Sequence, residues 1–207
     1  MSSPSSQPLR RFILGVTLYL PLTFALWYVS AGLHLAPITW LAGQLLNMLV
    51  PDALLWLKLD GHYLVMAANF GHDVAGLVVS PPPTNTDVLG FRFNPLIYSY
   101  SLPLLAALTL ATPSQQRWQR LAWGVGLLLP TELFSMVFSI LKMLTFGVGA
   151  AFQTQQGLTQ FGVDAIALGY QTGTLLIPMI APLIIWMALH RDFLQQLAPV
   201  LPPIQTS

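Results

Sequence analysis

Four long apolar runs, residues 12–33, 95–112, 121–147 and 165–189, divide this chain, and arginines stand at alternate junctions between them. Each run is of the length a helix needs to cross a hydrocarbon core about 30 Å thick, roughly 20 residues. In lipid a helix satisfies its own backbone polar groups, which an open loop or sheet edge cannot do. The expected fold is therefore that of a membrane protein, mainly α, with four transmembrane helices. Only 7% of residues are charged, against about a quarter in a soluble domain, so most of the surface must face lipid or other protein. The net charge of +1 comes with no basic tract, glycine-rich phosphate loop or dinucleotide fingerprint, which leaves nucleic-acid and nucleotide binding without support. Cysteine is absent, and with it thiol nucleophiles, disulfides and thiolate metal sites.

Charge sets the expected orientation. Arg10 and Arg11 abut the first run, which is too long for a cleaved export signal and reads as an uncleaved anchor. The tail 1–11, the loop 113–120 and the tail 190–207 carry Arg10, Arg11, Arg117, Arg120 and Arg191. The region 34–94 and the loop 148–164 carry Lys58 and Arg92 beside Asp52, Asp60, Asp73, Asp87 and Asp164. By the positive-inside rule both termini are expected to lie in the cytoplasm. Tryptophans 27, 40, 118, 123 and 186 serve either as interfacial anchors or as packing between helices.

The region 34–94, between the first and second runs, is the one sizeable extramembrane segment. Leu41, Leu45, Leu46 and Leu49 recur at helical spacing after Pro37 and predict a helix over 38–50. It lies either on the membrane surface or beneath the segment that follows. Strands are expected over 53–59 and 62–68 around Asp60-Gly61, a two-residue hairpin signal. That turn pairs Leu59 with His62 and Lys58 with Tyr63. One face then carries Leu55, Leu57, Leu59, Leu64 and Met66, the other Trp56, Lys58, Tyr63 and Val65. Runs 74–80 and 88–93, separated by Pro81-Pro82-Pro83 and Asn85, complete a small exterior β-rich insertion of three or four strands. His62, His72 and Asp73 could converge on a metal there, though their spacing fits no ligand motif and turn residues are the simpler reading. Ser80 has no nucleophile-elbow context.

Inside the apolar runs, Glu132 lies near the middle of the third, with Pro130 and Thr131 beside it. A carboxyl at that depth is either a functional site or a protonated group bonded to a neighbouring helix. Lys142 follows ten residues on, too far to pair with Glu132 along one helix. Gly169 and Gly173 form a G-x-x-x-G frame that lets two helix backbones approach closely, a helix contact open to a neighbour or partner.

At the entry to the second run, Phe91-Arg92-Phe93-Asn94-Pro95-Leu96-Ile97-Tyr98-Ser99-Tyr100-Ser101-Leu102-Pro103-Leu104 resembles a segment of exosortase-associated membrane proteins, particularly the exosortase H-associated type. The resemblance implies a noncatalytic accessory role in protein sorting beside an exosortase, a membrane enzyme that processes proteins bearing a C-terminal sorting signal. Exosortases resemble one another around a catalytic cysteine, which this chain lacks, and no Pro-Glu-Pro precedes its last apolar run as a substrate would require. No site residue follows from the resemblance. The expected partners are membrane lipids and another integral membrane protein, an exosortase, with no nucleic acid and no cofactor. Two alternatives remain: a structural subunit of a larger transport or energy-transducing complex, and a membrane enzyme using Glu132 or the exterior histidines.

Overall fold

A computed structural model describes residues 6–84 and 87–197. The outer parts of both expected tails, and Asn85 between the last expected strands, fall outside the described residues. The fold is mainly helical, with a small antiparallel β insertion between the second and third helices. Helices α1 (Ser6–Val29) and α2 (Ala31–Leu49) come first, then β1 (Leu54–Asp60), β2 (Tyr63–Ala68), β3 (Gly71–His72), β4 (Val78–Val79) and β5 (Gly90–Phe93). Helices α3 (Leu96–Ser99), α4 (Ser101–Ala111), α5 (Arg117–Met143), α6 (Ala150–Gln155), α7 (Gln160–Gln171), α8 (Ile177–Leu189) and α9 (Arg191–Leu197) complete the chain. Five-residue π-helical turns, Leu144–Val148 and Thr172–Leu176, extend α5 and join α7 to α8.

Three helical stretches are long and apolar enough to cross a membrane: Gln7–Val29, Arg117–Val148 and Gln160–Leu189. The stretch Leu96–Ala111 is apolar but shorter. Both of its ends are set locally. The Asn94 side chain accepts from the Leu96 amide at 3.0 Å and starts the helix. At the other end Thr112, which precedes Pro113, is extended with ψ 124°, as the proline ring demands of its neighbour. This stretch packs antiparallel along α1. Trp27 Nε1 donates to Ser99 Oγ at 3.3 Å, Thr23 Oγ1 donates to the Pro103 carbonyl at 2.9 Å, and Gly15 lies against Ala111. The outward faces of α1 and α8 are apolar, with Leu18, Leu22, Leu26, Met179 and Ile184 exposed, as a lipid-facing surface requires.

The helices gather the arginine-bearing segments at one end. Phe12 stacks on Trp186 and lies tilted against Phe193, both at 5.3 Å, and Arg120 meets Asp192 at 3.2 Å. The insertion sits at the other end, where Phe70 packs edge-on against Phe152 and Gln156 Nε2 donates to the Pro51 carbonyl at 3.1 Å.

Within the insertion the expectations need four corrections. First, α2 begins at Ala31, so Pro37 lies inside it and not in its first turn. Leu35, Ile38, Ala42 and Leu46 are all but fully buried, and this apolar stripe, which continues N-terminal to the proline, outweighs the lost hydrogen bond. Of the two placements expected for this helix, the structure takes packing beneath the following segment. Second, the hairpin pairs Asp60 with Tyr63 and Leu59 with Leu64, making Gly61-His62 the turn. Gly61 has φ 58° and His62 does not share a positive φ, the pattern of a turn with glycine at its first central position. The pairing is displaced by two residues, so from Trp56 onward the side chains keep the faces expected of them. Third, Leu55 leaves that face, because the register shifts between Leu54 and Trp56 and leaves it 49% exposed in a bulge. Fourth, the strand expected over 74–80 contracts to Val78–Val79. Asp73 Oδ1 accepts from the Ala75 and Leu77 amides at 2.9 and 2.8 Å and ties the preceding residues into a loop. The result is a three-stranded sheet, β1-β2-β5, beside a β3-β4 ribbon.

The main core lies where the sheet meets the bundle. Leu64 and Met66 from the sheet, Leu35 and Ile38 from α2, and Met136 and Ile140 from α5 are buried together. A smaller core of Leu105, Leu108, Leu128, Trp186 and Phe193 fills the arginine end.

Candidate functional site

The sheet's inner face is closed. Leu57 opposes Met66, which opposes Phe91, and Leu59 opposes Leu64, which opposes Phe93. Phe91 reaches past the sheet to pack on Gly147 in the first π-helical turn, where an added Cβ would come within 2.6 Å of the ring. The outer face is open. Lys58, Val65 and Arg92 stand side by side across the three strands. Arg92 lies over the Tyr63 ring at 4.0 Å and Lys58 over the Trp56 ring at 5.4 Å. Each cation thus shares its charge with an aromatic face, and Trp56 and Tyr63 remain 42% and 43% exposed.

The three residues considered for a metal do different things. His62 stacks on Tyr28 with ring centres 4.5 Å apart and donates from Nε2 to the Tyr28 carbonyl at 3.1 Å, which docks the hairpin tip on the end of α1. His72 sits 3.7 Å from Asp87. Asp73 caps its own loop. Among the described residues no group of three or more His, Asp or Glu side chains gathers in metal-binding geometry.

The bundle interior holds a polar strip. Glu132 is buried, and Ser101 Oγ donates to its Oε1 at 3.1 Å, joining α4 to α5. Ser135 and Ser139 continue the strip on α5, each bonded to the carbonyl four residues back at 2.9 and 2.8 Å. Such bonds satisfy a hydroxyl in lipid without a partner helix. Lys142 lies over the Tyr170 ring at 5.2 Å and links α5 to α7. The groove at Gly169 and Gly173 is filled from within the chain. An added Cβ on Gly169 would collide with the Phe138 ring, and one on Gly173 would lie 3.0 Å from Ser135 Cα. The glycine frame is a helix contact with α5, so of the two occupants expected for it the structure takes a neighbouring helix of the same chain, and the close approach leaves no room for a partner helix.

Sequence reading did not single out Ser99, Ser101 and His34. Ser99 Oγ accepts from Trp27 and lies 3.4 Å from His34 Nε2, so three elements meet there. Burial pushes the His34 imidazole below its usual pKa. The available signal was the alternation Tyr98-Ser99-Tyr100-Ser101 at the mouth of an apolar run, where small hydroxyls need partners. These serines belong to the stretch 91–104, whose Phe91, Asn94, Ser99 and Ser101 together couple the sheet to the bundle.

No curated protein and no solved structure matches this chain. A family match extends far beyond the 14 residues of that coupling segment, covering residues 6–193, and through it the chain belongs to the exosortase H-associated membrane proteins.

Proposed function

We propose that this chain is a noncatalytic accessory subunit of an exosortase-type protein-sorting system in the bacterial inner membrane, with four crossings and both termini cytoplasmic. The observation that carries the reading is the two-faced sheet. Its inner face is buried against α2 and α5, while Trp56, Tyr63, Lys58 and Arg92 stand open on the outer face. Aromatic residues and arginine on a rigid, exposed surface are the residue types that dominate binding energy at protein interfaces. The family's description, association with exosortase H, supports an exosortase as the partner. The fourth crossing is Leu96–Ala111, which runs beside α1 from the insertion end to the arginine end; at 1.5 Å per residue it spans about 24 Å. Its shortness is matched by local thinning of the bilayer, at a modest cost. The placement of Glu132, buried and bonded to Ser101, favours a structural use over the membrane-enzyme alternative.

The test is affinity purification in mild detergent from cells that also produce the exosortase encoded in the same genome. The enzyme should co-purify, and the double change Trp56→Ala with Tyr63→Ala should cut its recovery by about tenfold or more, the loss of a typical hot spot. A well-folded chain that recovers no exosortase overturns the accessory reading.

A further inference from the structure

A second surface feature points to a lipid. Between α1, α4 and the first turns of α5 runs a groove of about 210 Å³ lined by Leu26, Trp27, Pro103, Ala106, Leu110 and Trp118. Two hydroxyls also border it, and both are already bonded. Thr23 Oγ1 donates to the Pro103 carbonyl at 2.9 Å, and Ser30 Oγ donates to the Trp27 carbonyl at 3.4 Å. The groove therefore offers hydrocarbon a matching surface and offers a polar ligand nothing.

Its lower mouth lies at Trp118, and Arg117 is the adjacent residue, exposed at the first position of α5. The start of α1, with exposed Arg10 and Arg11, belongs to the same end of the bundle. Among the described residues Arg120 alone of the five arginines at this end has an acidic partner, Asp192. Arg10, Arg11, Arg117 and Arg191 are thus exposed without an ion-pair partner among the described residues. The N-terminus of a long helix adds unpaired amides and a favourable dipole for an anion beside Arg117.

We propose that this groove binds one acyl chain of an anionic phospholipid whose phosphate is held by Arg117, with Arg10 and Arg11 strengthening the field around it. A zwitterionic lipid fills the groove equally well but gains nothing from an excess of arginines, so charge complementarity selects the anionic headgroup. Trp118, 69% exposed, supplies the amphipathic ring that sits at headgroup level.

The full-length protein in mild detergent is mixed with phosphatidylglycerol, with phosphatidylcholine of the same chains, or with inorganic phosphate. Bound lipid is read by native mass spectrometry, and a photo-crosslinking amino acid at Ala106 reports what occupies the groove. Phosphatidylglycerol should be retained about tenfold better than phosphatidylcholine, with the crosslink going to lipid. Arg117→Gln should lower that preference about fivefold, the effect of roughly one cation near a headgroup. Ala106→Phe should reduce retention of both lipids by filling the groove. Arg117 is exposed, so its change leaves the fold intact and remains informative if Ala106→Phe misfolds. Equal retention of the two lipids, an equal response to inorganic phosphate alone, or a crosslink from Ala106 to a partner protein overturns the assignment.

Discussion

Ser101 on α4 donates to the carboxyl of Glu132 on α5 across 3.1 Å, with both side chains buried. This bond places the most expensive polar group of the bundle against a small hydroxyl from the segment 91–104, so the coupling segment and the intramembrane acid form one unit. In lipid such an interhelical bond contributes about 1 kcal/mol, because the dissociated helices also find partners for these groups.

Glu132→Gln keeps an acceptor for Ser101 and should leave stability within about 0.5 kcal/mol of the parent. Glu132→Leu removes it and should cost about 1 kcal/mol. Thermal unfolding in a fixed detergent measures both. A leucine variant as stable as the parent would show that the Ser101 bond contributes nothing.

The glycine frame yields a prediction about folding. Gly169→Leu and Gly173→Leu drive side chains into Phe138 and Ser135, and each should destabilise the bundle by about 1–3 kcal/mol through overpacking. Gly126→Leu has open space around it and should be close to neutral. Unfolding midpoints of the three variants decide this. Equal behaviour of all three would contradict the α5–α7 contact.

Orientation can be read directly, because the chain has no cysteine of its own. Single cysteines at Val74 and Gln155, both exposed at the insertion end, should react with an impermeant maleimide on whole cells. Those at Gln115 and Gln195, exposed at the arginine end, should react only after the cells are opened. Labelling of Gln115→Cys from outside would overturn the proposed topology.

The His190 imidazole, just beyond α8, is fully buried and bonded through Nδ1 to the Trp186 carbonyl at 3.0 Å. Burial pushes its pKa below the usual 6.5; the bond to Trp186 opposes this and the nearby Arg120 charge adds to it. A depressed value means that the unfolded chain binds the proton more readily than the folded one. Stability from this group is therefore complete above the unfolded pKa of about 6.5 and falls as pH drops through that value toward the folded pKa. His34, depressed by burial in the same way, contributes a loss of the same sign. His190→Phe keeps a ring on Trp186 and removes the titration, so the fall in unfolding temperature between about pH 8 and pH 5 should become shallower. An unchanged acid slope would assign that loss to other groups.

Much of this protein is determined by sequence alone. The apolar runs at 12–33, 121–147 and 165–189 overlap the three long helical stretches, the first of which ends at Val29 and leaves the rest of its run to α2, because a bilayer tests composition and length and both are local properties. The β-rich insertion was legible for a similar reason: alternation of Leu57, Leu59, Leu64 and Met66 keeps them on one face under a displacement of two residues, the displacement found here. Tertiary structure decided the rest. The hairpin register follows from Gly61 and from Tyr28, 34 residues earlier, on which His62 stacks. The start of α2 follows from an apolar stripe whose burial needs the sheet above it. Glu132 and Ser101 are 31 residues apart, and Gly169 receives a ring from a different helix. Each of these depends on which surfaces meet after the helices are formed, and periodicity within a single segment carries no record of that meeting.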